Sequence, residues 1–263
     1  MLFGVFDGHG GREVAHYTKK HLEDCISTNE HFTKDEIPEG LRQGFLEIDR
    51  QLEGEKGREE LSVMKRAQPP NKAPLFKLLG DISTTNKEGE TSQDSLMLDS
   101  IGCTANVILI EDMKKLYVAN AGDSRCVLAR GGKAVPLSFD HKPENEEERA
   151  RIEKAGSTIT EGRVDGNLNL SRSLGDLKYK QNKNLKAEEH PVTGNPDLYT
   201  YELTGEEDFI VMGCDGIWET KTNEEMVEFL YKKFEEGKDL KTINEELLND
   251  IISPDYTQTG KLI

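Results

Sequence analysis

Three aspartates stand at matching places in this chain. Asp7 closes the apolar run 2–6 and precedes Gly8; Asp215 closes 209–214 and precedes Gly216; Asp123 follows Gly122 at the end of 115–121. Carboxylates at the mouths of strands suit a hard divalent cation, which takes oxygen ligands from one or two carboxylates, backbone carbonyls and water. A glycine after the acid lets the backbone turn sharply and turn its own carbonyl toward an ion. Two such ions about 3.5–4 Å apart can generate a hydroxide and clamp a phosphate. His9, two residues from Asp7, is of the type that gives a proton to a departing alkoxide. Gly10-Gly11 leads into a helix, and helix N-termini bind anions through free N–H groups. Each feature also has a plainer reading. Asp-Gly after a strand is a common turn, a single histidine is often a structural or surface imidazole, and Gly-Gly is a tight entry turn.

The elements that must position these residues are legible from periodicity. Residues 2–6 read as a buried strand. Val14, Thr18, Leu22 and Cys25/Ile26 fall at helical spacing within 12–26, and Leu41, Phe45, Ile48 and Leu52 do so within 37–52. From about 54 to 100 the pattern weakens: Pro69, Pro70 and Pro74 break any helix, and 81–99 is polar and rich in Ser and Thr. This stretch is expected to be an insertion or loop, either a solvated variable one or a regulatory, partner-binding one. Strands are predicted at 104–110, 115–121, 126–129, 134–137, 157–160, 198–203 and 209–214, with Gly131-Gly132 as a hairpin turn. A helix is predicted from Pro143 to Ala155, with Pro in its first turn. Two more close the chain, started by the capping boxes Thr222-x-x-Glu225 and Thr242-x-x-Glu245. Short links between strands favour antiparallel pairing and an α+β class.

Composition narrows the function. The chain has 263 residues with 35% hydrophobic and 32% charged side chains, enough for a sizeable core under a polar surface. A single domain spanning 1–263 is expected. No apolar run approaches the roughly 20 residues that span a bilayer. The apolar residues 1–6 are too few, and lack the basic flank, for a signal peptide. A net charge of −16 argues against nucleic acid, whose binding depends on Lys and Arg, and is compatible with cations. Much of the excess, at 144–149 and 224–228, reads as solvated surface. Cys25, Cys103, Cys126 and Cys214 show no C-x-x-C spacing, which argues against zinc. Three of them lie in or beside apolar runs as small core residues, which suits a reducing compartment. A cytoplasmic monomer is expected, with membrane-associated or nuclear locations as alternatives.

The segment Val5-Phe6-Asp7-Gly8-His9-Gly10-Gly11 resembles the signature of the type 2C metal-dependent Ser/Thr protein phosphatases, the PPM family. Further blocks similar to that family follow in its order. They are 102–105 (Gly-Cys-Thr-Ala), 117–125 (Tyr-Val-Ala-Asn-Ala-Gly-Asp-Ser-Arg), 140–143 (Asp-His-Lys-Pro), Arg151-Ile152 with Ala155-Gly156, and Arg163-Val164. Then come 170–176 (Leu-Ser-Arg-Ser-Leu-Gly-Asp) and 214–219 (Cys-Asp-Gly-Ile-Trp-Glu). The resemblance implies two packed antiparallel β-sheets flanked by helices, with the active site at one edge of the sandwich. It implies hydrolysis of phosphoserine and phosphothreonine in phosphorylated protein substrates by a water bridging two Mg²⁺ or Mn²⁺ ions, without a phosphoenzyme. By the same resemblance Asp7 bridges both metals, the Gly8 carbonyl binds one, and Asp215 is a further ligand. Asp123 serves a weaker third metal, and His9 is the general acid.

Two of the family's elements find no counterpart. An earlier strand pair, with a phosphate-gripping Arg and a Met-Glu-Asp run, would precede Asp7. A Gly-x-Asp-Asn block would follow 254–260. The expectation is therefore a phosphatase domain truncated at both ends, short of N-terminal strands and a C-terminal strand. Loss of acidic ligands weakens a divalent site, and loss of the Arg removes a bidentate anion contact. The alternative is a catalytically impaired phosphatase-like protein that acts as a binding or regulatory module.

Overall fold

A computed structural model describes residues 1–66 and 97–252. In chain order, β1 (Leu2–Val5) and β2 (Gly8–His9) precede four helices: α1 (Glu13–Ser27), α2 (Glu30–Thr33), α3 (Ile37–Glu53) and α4 (Glu55–Arg66). Strands β3 (Gly102–Cys103), β4 (Ala105–Glu111), β5 (Lys115–Ala121), β6 (Arg125–Arg130) and β7 (Lys133–Pro136) follow. Next come α5 (Glu146–Lys154), β8 (Ile159–Thr160), β9 (Arg163–Val164), β10 (Leu174–Gly175), β11 (Asp197–Glu202) and β12 (Glu207–Gly213). The last described elements are α6 (Asp215–Trp218), α7 (Asn223–Glu235) and α8 (Leu240–Ile251).

Two antiparallel sheets form the frame, one in the order β1-β4-β5-β11 and the other β12-β6-β7. The period of two along each strand divides its side chains between two cores. Ile108, Leu116 and Val118 of the first sheet meet Cys126 and Leu128 of the second, closed by Leu137. The alternate residues Val107, Ala119 and Ala121 face outward onto α1 and α3, where Leu41, Phe45, Ile48 and Leu52 form a fully buried stripe at helical spacing. On the far side Val127 and Ala129 lie beneath Met226, Val227 and Leu230 of α7 and Ile243 and Leu247 of α8. The order helix, sheet, sheet, helix is the expected α+β sandwich.

A third, much smaller sheet matters more for chemistry. Its order is β10-β3-β2, with Cys103 opposite both Gly8 and Leu174. It ties the turn after β1 to a loop more than 160 residues away in sequence.

Several expectations are corrected. The 54–100 stretch is not loop throughout: 55–66 form α4, with Leu61 buried in the core between α1 and α3, while 67–96, including all three prolines, lie outside the described residues. Only Gly57 and Leu61 of α4 are buried, so no apolar stripe announced it. Strand β1 is an edge strand of the described sheet, with Phe3 half exposed, rather than a buried one. The helix after Pro143 starts three residues later, at Glu146. The Thr222–Glu225 capping box is present in both halves. At α8, however, Asp239 is the cap, and its carboxylate accepts from the Thr242 N–H at 2.9 Å. Within 144–149, Glu148 is buried rather than solvated. Gly131 and Gly132 do turn the β6–β7 hairpin, both with positive φ.

Candidate active site

The sandwich brings the ends of β1 and β12 together. Asp7 follows β1 and Asp215 opens α6 directly after β12. One oxygen of each carboxylate and the Cys214 sulfur all lie within 4.8 Å of one another. Asp7 is fixed through its main chain. Its N–H donates to Thr104 Oγ1 at 3.2 Å, and its carbonyl accepts from the Thr104 N–H at 2.9 Å. Thr104 Oγ1 is in turn 2.6 Å from Ser124 Oγ, so the Asp7 turn and the Asp123 turn share one buried hydroxyl pair. The Gly122–Asp123 corner is held by His141, whose Nδ1 accepts the Gly122 N–H at 3.2 Å, and by Asn120 Nδ2, which donates to the Gly122 carbonyl at 3.2 Å.

The electrostatics are those of crowded carboxylates. Burial first, then the charges of Asp215 and Asp123, raises the Asp7 carboxyl above its ordinary range, against a smaller opposing pull from His9. Burial likewise raises Asp123, although Lys142 forms an ion pair with it. Such repulsion is relieved by a cation. The chemistry of the donor set fits a hard divalent ion. Burial and the charges of Asp7 and Asp215 push the Cys214 thiol up, and the two carboxylates supply the oxygen donors that such an ion takes.

His9 lies on β2 with its Nε2 2.6 Å from Asp176 Oδ2. A carboxylate only accepts, so this contact places a proton on Nε2 and leaves Nδ1 as the atom that gains or loses one. Burial would lower the His9 pKa. The hydrogen bond and charge of Asp176, then the charges of Asp7 and Asp123, overcome that and raise it. Asp176 is 1% exposed, accepts from Ser173 Oγ at 2.5 Å, and adopts a left-handed backbone with φ of 48°.

Glycine is required here by space. A Cβ at Gly102 would sit 2.2 Å from Asp176 Oδ2 and 2.6 Å from His9 Nε2. Gly8 has no positive φ; a Cβ there would meet the Gly11 carbonyl at 2.9 Å. The expected sharp turn at Gly8 is thus a close backbone approach instead.

The family model "Protein phosphatase 2C" matches residues 1–67 and 76–260. The chain belongs to the protein phosphatase 2C family. It is similar to "Probable protein phosphatase 2C 21" of Arabidopsis thaliana, 40% identical over 99% of this chain and 75% of that protein. It is also similar to "Protein phosphatase 2C 1" of Paramecium tetraurelia, 40% identical over 98% of this chain and 78% of that one. It thus spans about three quarters of the length of these relatives. The solved structure of a phosphatase from a pathogenic strain of Toxoplasma gondii shares the fold, with a TM-score of 0.68, 22% identity, and coverage of 95% of this chain and 79% of that one. Proteins of this family are protein phosphatases, that is, hydrolases, and the sandwich is theirs.

Among the sequence-predicted site residues, Asp7 and Asp215 converge, Asp123 lies close enough for its charge to bear on Asp7, and His9 is on the adjoining strand. Three roles went unread: Asp176 as partner of His9, Thr104 with Ser124 as the clamp on Asp7, and Cys214 beside the carboxylates. Asp176 falls in the family-like block 170–176, but Gly175-Asp176 reads as an ordinary turn, and its partner is 167 residues distant. Among the described residues no helix is long and apolar enough to cross a membrane.

Proposed function

We propose that this chain hydrolyses phosphoserine and phosphothreonine in phosphorylated proteins, with Mg²⁺ or Mn²⁺ held by Asp7, the Gly8 carbonyl and Asp215, and a weaker third ion at Asp123. The observation that carries this reading is the convergence of the Asp7 and Asp215 carboxylates beside a histidine locked to its own carboxylate. When bound, two divalent ions supply Lewis acidity and positive charge for the phosphate. The protein's own part is to hold that charge-hungry pair of carboxylates on two rigid strand ends. His9, oriented by Asp176, holds a proton at Nδ1 for the departing serine or threonine oxygen. An alkoxide is a poor leaving group, so a positioned proton donor lowers the barrier most for alkyl phosphates.

The same reading has the protein act as a cytoplasmic monomer on protein substrates. The four free cysteines support a reducing compartment. The deciding assay measures phosphate release from a phosphothreonine peptide with Mn²⁺ or Mg²⁺, beside Asp7→Ala and Asp215→Ala. Release by the parent protein well above both variants is expected. Equal background in all three overturns the activity and favours a phosphatase-like binding module.

A further inference from the structure

The apolar stripe of α3 is interrupted by an acid. Asp49 follows the fully buried Ile48 and lies one turn from Phe45 and Leu52, yet its side chain is only 14% exposed. A carboxylate in such a place needs partners, and among the described residues its hydrogen-bond partners lie on the segment 175–180, next to Asp176. Asp49 Oδ1 accepts the Gly175 N–H at 2.8 Å. Asp49 Oδ2 accepts from Lys180 Nζ at 2.5 Å, and Lys180 Nζ also donates to the Ser173 carbonyl at 2.8 Å. Lys180 is 5% exposed, so the pair is enclosed and little screened by solvent.

The loop so gripped is an unusual one. Gly175 and Asp176 both have positive φ, at 75° and 48°. For a non-glycine residue that conformation is disfavoured and persists only where the surroundings fix it. Asp49 and Lys180 fix both sides: Ser173 through its carbonyl and Gly175 through its N–H. The Asp176 N–H is taken by the Ile101 carbonyl at 2.9 Å. With its backbone so held, Asp176 turns Oδ2 to Ser173 Oγ and His9 Nε2.

We propose that Asp49, with Lys180, is a positioning pair for His9: it holds the 173–176 loop so that Asp176 presents its carboxylate to Nε2 and Nδ1 faces the leaving group. This rests on the reading of His9 as proton donor.

The test compares Asp49→Asn, Lys180→Met and His9→Ala in the Mn²⁺-loaded protein on two substrates. A phosphothreonine peptide needs a proton on its leaving oxygen, and p-nitrophenyl phosphate does not. For Asp49→Asn, kcat on the peptide is expected to fall on the order of 10-fold, with KM and the p-nitrophenyl phosphate rate within about twofold. Lys180→Met is expected to follow the same split and serves if Asp49→Asn fails to fold. An independent readout, taken with diamagnetic Mg²⁺ in place of Mn²⁺, is the low-field Nε2 proton resonance of His9 in ¹⁵N-histidine-labelled protein, assigned by its loss in His9→Ala. It is expected to shift or broaden in Asp49→Asn. Equal losses on both substrates, or an unchanged resonance, overturn the proposal. If His9→Ala itself shows no substrate split, the proton-donor reading falls. The resonance in Asp49→Asn then decides positioning alone.

Discussion

His9 Nε2 and Asp176 Oδ2 lie 2.6 Å apart across 167 residues of sequence, and they meet over the bare Cα of Gly102. Strand β3 runs between β2 and β10, so its residue 102 is the floor on which the pair rests. A methyl group on that floor would stand 2.2 Å from the acceptor oxygen and 2.6 Å from the donor nitrogen. Both clashing groups are functional, and Asp176 is held by its backbone, so the side chains have little room to give.

Gly102→Ala is therefore expected to separate His9 from Asp176. Peptide phosphatase activity should fall by about 10²-fold, the lower end of what a positioned acid contributes. Divalent affinity should change far less, since Asp7 and Asp215 are held elsewhere. Steady-state kinetics beside an isothermal titration with Mn²⁺ checks both halves. A variant that loses Mn²⁺ binding and activity together would show that the damage spreads beyond the pair.

The carboxylate cluster makes a prediction of opposite sign for stability. The Asp7 carboxyl is raised by burial and by Asp215 and Asp123. An acid whose folded pKa lies above its unfolded value, near ~4, makes the fold give up stability as it ionises with rising pH. In metal-free protein at neutral pH, Asp7→Asn is expected to raise the melting temperature by a few degrees. Adding Mn²⁺ reverses the ranking. At a free concentration about 100 times Kd, the ion should stabilise the parent protein by about 2.7 kcal/mol, and Asp7→Asn by much less. Thermal melts with EDTA and with Mn²⁺ test this. A variant less stable than the parent in EDTA contradicts the repulsion argument.

How much of this was legible in the sequence follows from the range of each interaction. The α3 stripe is a local pattern imposed by burial on one face, and β4, β5 and β6, buried on both faces, stand out as short apolar runs, so the sandwich and its helices could be read directly. Asp7, Asp123 and Asp215 announced themselves because each ends an apolar strand. Two-residue strands such as β2, β3 and β10 have no period to detect, and they are what joins His9 to Asp176. Asp49 was invisible for the opposite reason: in a helix of mixed polarity an acid looks solvated until its partners, more than 120 residues away, are known. Helix α4 buries only Gly57 and Leu61 and so carried too weak a rhythm to stand against its charged neighbours.

The start of α8 was misread through a similar ambiguity, and it can be checked by two substitutions. Thr242-x-x-Glu245 has the letters of a capping box, but Asp239 accepts from the Thr242 N–H and its side chain also receives the Thr242 hydroxyl at 3.2 Å. Asp239→Ala is expected to destabilise the protein by about 1 kcal/mol. Glu245 is exposed and, among the described residues, meets Lys241 at 3.8 Å, so Glu245→Gln should stay within about 0.5 kcal/mol of the parent. Urea unfolding of the two variants separates the assignments, and a larger loss at Glu245 would restore the box at Thr242.

The strongest pH dependence of stability is expected at a buried carboxylate that is not among the proposed metal ligands. Glu148, 3% exposed on α5, accepts from Arg151 Nη2 and Arg172 Nη2, each at 2.7 Å, and from Ser171 Oγ at 2.6 Å. Arg172 also donates to Asp197 Oδ1 at 2.6 Å, which ties the block 170–173 to the start of β11. Burial alone would raise the Glu148 carboxyl. The hydrogen bonds and charges of Arg151 and Arg172 overcome it and hold the group far below the usual carboxylate range. Asp197 is lowered to about 2: His141 and Arg172 together outweigh the effect of its burial. A depressed acid contributes stability that is fully present above its unfolded pKa, near ~4.3 for Glu, and is lost as pH falls toward the folded value. Melting temperature should thus be flat near neutrality and fall steeply below about pH 4.5. Glu148→Gln leaves two enclosed guanidinium groups short of an anion and is expected to cost about 3–5 kcal/mol at pH 7. The variant should also lose much of the acid slope, because the group that must be protonated is gone. Melts from neutral pH down to about pH 3 on both proteins test this. An acid slope that survives in Glu148→Gln would move the source of acid sensitivity to other carboxylates.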